Sequence, residues 1–216
     1  MSQLLIYLPS YIFPNNKRTI TENIVCGISL GGHAAWQCLM QDPRVTAAVI
    51  IIGCPDYMRL LSDRAVLSKL PTAGPKFLGS SSFPEGLVEA VRRNDPAGQL
   101  LGFGSTREER FRRDPISDEK EAMLPLLHNS FRGKRILNMS GAVDKLVPYS
   151  CSEPFLKWLH RAISPSGWFS DLHLTLVDVC FDGVGHAMSS DMAKMLDQFV
   201  VETLQKSSAV DRKSRL

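Results

Sequence analysis

Residues 45–53, VTAAVIIIG, run from end to end without a charge. A strand with one wet face alternates apolar and polar residues. A near-continuous apolar run instead suits a strand covered on both faces, as in a parallel sheet between layers of helices. Three more stretches fit strands: NIVCGI at 23–28, KRILNMS at 134–140 and HLTLVDVC at 173–180. Amphipathic stretches at 30–41, 153–163 and 187–205 read as helices between or after them. Strands alternating with helices predict an α/β fold on a parallel sheet, whose chemistry lies at the C-terminal ends of the strands.

The remainder of the chain breaks this rhythm. Residues 3–12 read as a short amphipathic helix stopped by Pro14. From 54 to 133 the sequence holds many prolines and a GSSSFP loop, with short amphipathic pieces near 58–70, 84–93, 95–101 and 117–128. It contains no strong strand pattern and is expected to be a helical lid insertion. The expected division is one α/β domain over 1–205, containing that insertion, and a polar flexible tail over 206–216.

Composition narrows the function classes. A chain of 216 residues with 44% hydrophobic and 22% charged residues has the profile of a globular domain. The net charge of +3 and the scattered basic residues give no nucleic-acid footprint. No apolar run is long enough to span a bilayer. The five cysteines lack CxxC spacing, which argues against a disulfide framework or a zinc site and fits a reducing compartment. No metal or cofactor is expected.

Chemistry enters at Gly27-Ile28-Ser29-Leu30-Gly31, where the first strand turns into the first sheet-packed helix. This is the nucleophile-elbow pattern in its expected context. The turn projects the Ser29 hydroxyl, and glycines at 27 and 31 are expected to avoid clashes inside it. Gly32 is expected to let helix and strand approach closely. The helix start offers the backbone N–H of Leu30 to a developing oxyanion. Asp144 follows the third strand within SGAVDKLVP, and His186 follows the fourth within FDGVGH. Ser29 needs a base to become nucleophilic, His186 can serve near neutral pH, and Asp144 would orient the imidazole. The chain order Ser, Asp, His is that of α/β-hydrolases.

Other groups compete for these roles. Asp182 is close to His186 in sequence, and Asp56 follows the second strand; either is an alternative acid. His33 reads as structural or pocket-lining. His128, His160 and His173 show no metal-ligand spacing. Trp36 and Met40 read as a helix core stripe.

The stretches GISLGGHAAWQ, VIIIGCPDYMRLL, SGAVDKLVPY and GVGHAMS resemble fungal α/β-hydrolases of the esterase/lipase and prolyl-oligopeptidase-like type. The chain also resembles the hydrolases of AK-toxin and AF-toxin type gene clusters. The resemblance implies the α/β-hydrolase fold, triad roles for Ser29, Asp144 and His186, and a small-molecule ester substrate in secondary metabolism. It also exposes a departure. The family carries several strands before the nucleophile strand, along with a loop supplying a second oxyanion N–H, whereas this sequence starts just ahead of that strand. A parallel sheet lacking those strands leaves an apolar edge, through which self-association is expected.

The last three residues, Ser214-Arg215-Leu216, resemble the peroxisomal address. They predict recognition by the import receptor and a peroxisomal location, with cytoplasm as the alternative. That address also brings in an acyl-CoA thioester as an alternative substrate. The missing strands bring in another alternative, a weakly active or inactive chain acting as a binding subunit.

Overall fold

The structure is a computed structural model that describes residues 2–15, 17–102 and 106–213. The tripeptide 214–216 lies outside the described residues. The first helix, α1 (Ser2–Ile12), buries none of its residues fully and leaves Tyr7 and Tyr11 exposed. Strand β1 (Ile24–Ile28) leads directly into α2 (Leu30–Gln41), and β2 (Ala47–Ile51) follows. Helices α3 (Tyr57–Leu67), α4 (Glu85–Asn94), α5 (Pro96–Leu101), α6 (Thr106–Arg112) and α7 (Ser117–Phe131) fill the expected helical stretch, which has no named strand among its described residues. Then come β3 (Arg135–Gly141), α8 (Tyr149–Ile163), β4 (Thr175–Phe181) and α9 (Ser190–Lys213).

All four strands pair in parallel, in the order β1-β2-β3-β4. Strand periodicity of two sorts their side chains onto two faces. Val25, Ala48, Ile50 and Ile136 join Trp36, Phe131, Phe155 and Trp158 in the larger core, built with α2, α7 and α8. Ala47, Val49, Ile51, Leu137 and Met139 face the other way, against Met192 and Phe199 of α9. Every residue of β2 and β3 is buried, as the apolar runs require.

The first strand departs from the expectation of burial. It lies at one edge of the sheet, and Cys26 and Ile28 are exposed, Ile28 at 49%. Helix α9 packs mainly on β2 and β3, and of β1 it is Ile24 that packs against the core beneath it. Several boundaries also differ. Helix α8 starts at Tyr149 rather than 153, with Pro154 inside it. Helix α7 carries Pro125 and runs on to Phe131 rather than 128, where the buried Phe131 anchors it in the core. Helix α9 runs past 205 to Lys213, a stretch with no Gly or Pro.

The stretch 54–133 divides by where it packs. Ala97, Leu100 and Leu101 of α5, with Met123, Leu127 and Phe131 of α7, belong to the main core. Helices α3 and α4 instead enclose a satellite core of Met58, Phe77, Phe83, Val88 and Val91. The end of α2 is tied down from β3's side: buried Lys134 donates from Nζ to the carbonyls of Leu39, at 2.5 Å, and Asp42, at 3.0 Å. The Leu39 carbonyl would otherwise lack a partner at the helix terminus, whereas that of Asp42 also accepts the Val45 N–H at 3.1 Å.

One surface pair makes stability depend on pH. Glu119 accepts both Nη atoms of Arg113, at 2.6 and 2.7 Å, and the Ile116 N–H at 3.1 Å. The Arg113 guanidinium is the main cause that holds the Glu119 carboxyl at about 2, below its ordinary 4.5. A carboxyl lowered in the folded state contributes stability above its unfolded value and loses it as pH falls. The contribution is therefore complete above about pH 4.5 and gone near pH 2. Glu119→Gln is expected to lower the melting temperature by about 2–4 °C at neutral pH, through the loss of one partly exposed ion pair. The gap from wild type should close as pH falls from 4.5 to 2. Thermal melts across that range check it; a gap constant with pH would contradict it.

Candidate active site

The turn from β1 to α2 carries Ser29 at φ 55° and ψ −116°. A non-glycine residue in this region is strained, and such strain persists only where the surroundings hold it. Gly27 is one such constraint. A Cβ there would lie 1.9 Å from the Gly31 carbonyl oxygen, so only glycine fits. The reading of Gly31 needs correction, because a Cβ at that position meets nothing within 4 Å. Crowding falls one residue later: a Cβ on Gly32 would stand 2.8 Å from Cα of Gly53, just past β2. Gly32 thus sets how closely α2 approaches the sheet, as its small size suggested.

Three side chains from three strand ends converge on this turn. Ser29 Oγ lies 2.8 Å from His186 Nε2, and His186 Nδ1 lies 2.8 Å from Asp144 Oδ2. A carboxylate only accepts, so Nδ1–H donates to Asp144 and Nε2 keeps its lone pair for the Ser29 hydroxyl. The other carboxylate oxygen of Asp144 accepts the N–H groups of Leu146, at 2.8 Å, and Val147, at 2.9 Å. The Asp144 side chain is fully buried, whereas that of His186 is a quarter exposed. Leu30, as the first residue of α2, has a backbone N–H with no partner inside the helix.

The loops that carry Asp144 and His186 brace each other. A Cβ on Gly141 would lie 2.4 Å from the Val184 carbonyl oxygen and 2.6 Å from that of Gly185. The His186 loop therefore crosses directly over the end of β3. The Val143 N–H donates to Val184 O at 3.0 Å, and the Ala142 N–H to Phe181 O at 2.9 Å. At the far end of the Asp144 loop, Tyr149 donates its hydroxyl to Asp178 Oδ2 at 2.7 Å, and Asn138 Nδ2 donates to Asp178 Oδ1 at 2.8 Å. Burial, with Asp178 adding to it, raises the Tyr149 phenol well above its ordinary range, so it stays a donor. Arg64 Nε also donates to Leu146 O at 2.7 Å, tying α3 to the same loop. Sequence reasoning missed this bracing. The one available signal was two polar residues, Asn138 and Asp178, inside otherwise apolar strands.

The competing acids are placed elsewhere. Asp182 is exposed. Asp56 caps α3, accepting the Arg59 N–H at 3.0 Å, and is paired with the Arg59 guanidinium. His33 holds Nδ1 against Cys54, 2.8 Å from its carbonyl oxygen and 2.9 Å from its amide nitrogen, and its ring lies edge-on to Tyr57. His128 lies beside Asp171, at 3.3 Å. Among the described residues no group of three His, Cys, Asp or Glu side chains is arranged to hold a metal ion. Among them, too, no helix is long and apolar enough to cross a membrane.

A parallel sheet with a strained serine at a strand-to-helix turn, an acid after a later strand and a histidine before the last helix is the α/β-hydrolase arrangement. No protein-family model matches the sequence, and no curated protein matches it. Solved structures do show likeness. Arabidopsis thaliana SOBER1 is 13% identical with a TM-score of 0.45, over 94% of this chain and 62% of its own. Pyrococcus horikoshii acylaminoacyl peptidase is 16% identical with a TM-score of 0.49, over 88% of this chain and 24% of its own. Puromycin hydrolase is 16% identical with a TM-score of 0.45, over 76% of this chain and 18% of its own. The chain thus spans under two thirds of the length of each.

Proposed function

We propose that this chain is a serine hydrolase that cleaves carboxylic esters through an acyl-enzyme. The observation that carries this reading is the unbroken link from Ser29 Oγ through His186 to buried Asp144, with both distances 2.8 Å. In the first step Ser29 Oγ bonds to the ester carbonyl carbon while His186 Nε2 takes the hydroxyl proton. Negative charge then gathers on the carbonyl oxygen, towards which the Leu30 N–H can donate. As the intermediate collapses, the ester C–O bond breaks and His186 returns the proton to the leaving alkoxide. Water repeats the sequence on the acyl-Ser29 ester, releasing the acid and restoring the hydroxyl. Asp144 holds the imidazole tautomer throughout and stabilises the imidazolium.

Hydrolysis of p-nitrophenyl acetate by the purified chain tests this directly. Saturable release of p-nitrophenol, blocked by prior treatment with a fluorophosphonate, is the expected result. Release no faster than in protein-free buffer would contradict it.

A further inference from the structure

A groove of about 300 Å³ opens beside the nucleophile turn. One wall is α2, through Leu30, Ala34 and Gln37, spaced so that they share one face of the helix. The other wall is α4, through Leu87, Ala90 and Asn94. Gln41 of α2 donates to Asn94 of α4 at 2.6 Å, which brings the C-terminal ends of the two helices together. The groove therefore starts at Leu30, the residue after Ser29, and extends along α2 to Gln37, about 10 Å at 1.5 Å per residue. His33 and Tyr57 also line it. Burial pushes the His33 imidazole below the ordinary histidine range, leaving it neutral near pH 7. No lining residue is then charged, and Leu30, Ala34, Leu87 and Ala90 supply aliphatic wall on both sides.

Topology decides which part of a substrate enters. The departing group must lie beside His186, which returns its proton. The His186 loop leads into α9, on the sheet face opposite α2. A group running along α2 towards Gln37 is thus directed away from α9, although His33 at the start of the groove is still near enough to His186 to feel its charge. Building on the ester-hydrolase reading above, we infer that the α2–α4 groove holds the acyl chain of the substrate. It selects an uncharged, unbranched chain of about eight carbons, which at about 1.25 Å per methylene fills the 10 Å between Leu30 and Gln37. At about 30 Å³ per small group, the volume gives a similar figure.

Ala34 and Ala90 offer a test that leaves the core untouched, since both line the groove and both are exposed. Ala34→Trp and Ala90→Trp would each fill the groove. The measurement is kcat/KM for p-nitrophenyl acetate, octanoate and palmitate, alongside labelling by a small methyl fluorophosphonate. Wild type is expected to favour octanoate over both other esters. Each variant is expected to lower the octanoate-to-acetate ratio of kcat/KM at least tenfold, the low end of what one methylene is worth in a fitted pocket. Octanoate-to-acetate ratios unchanged in both variants would overturn the groove assignment while leaving the hydrolase reading intact. A wild-type chain inert to every ester and to the probe would overturn both.

Discussion

Ser29→Ala is expected to lower kcat for p-nitrophenyl acetate by about 10⁴–10⁶, to the residue that binding and the oxyanion donor alone sustain. The reasoning is local. The Ser29 hydroxyl is the group that His186 Nε2 meets, at 2.8 Å. Alanine keeps the small side chain at the strained φ of 55° but removes the atom that bonds to the carbonyl carbon. The fold has no cause to change, because the Ser29 side chain makes no helix-capping bond. Circular dichroism and the melting temperature should match wild type within a few degrees, so lost activity can be read as lost chemistry. A kcat within tenfold of wild type would mean that another group attacks the ester.

Asp144→Asn is expected to cost about 10⁴ in kcat, by a different route. Oδ1 already accepts the Leu146 and Val147 N–H groups, so it is the atom an asparagine keeps as oxygen. The amide nitrogen then takes the place of Oδ2 and points its hydrogens at His186 Nδ1. Nδ1 can accept only if the ring proton moves to Nε2, and a protonated Nε2 cannot take the proton of Ser29. The loop keeps its backbone hydrogen bonds, and the structure is preserved while the tautomer is wrong. Fluorophosphonate labelling should slow along with turnover, since both need an activated Ser29. A labelling rate equal to wild type would show that Asp144 does not set the state of His186.

The sequence made the parallel sheet legible because β2 and β3 are buried on both faces and their apolar runs carry that fact locally. The three residues that converge were legible for a similar reason: each stands just past a strand, and a parallel sheet brings such ends together. What depends on contacts between distant segments was not legible. Gly141 against Val184 is crowded only once the chain is folded, and for Gly32 the close approach was legible but not its partner Gly53. Gly31, which completes the sequence pattern, turns out to have open space around it. That NIVCGI forms an apolar edge was legible, whereas which of its residues stand exposed, Cys26 and Ile28, depends on packing by distant elements. The bracing of the Asp144 loop by Tyr149 and Asp178 joins residues on separate elements.

The central claim is that Ser29 is the activated nucleophile, and peptide mapping by mass spectrometry after fluorophosphonate treatment tests it most directly. A single phosphonyl adduct is expected on the peptide containing Ser29 in wild type, its formation slowed by orders of magnitude in His186→Ala. An adduct on any other residue, no adduct at all, or equal labelling rates in the two proteins would contradict it.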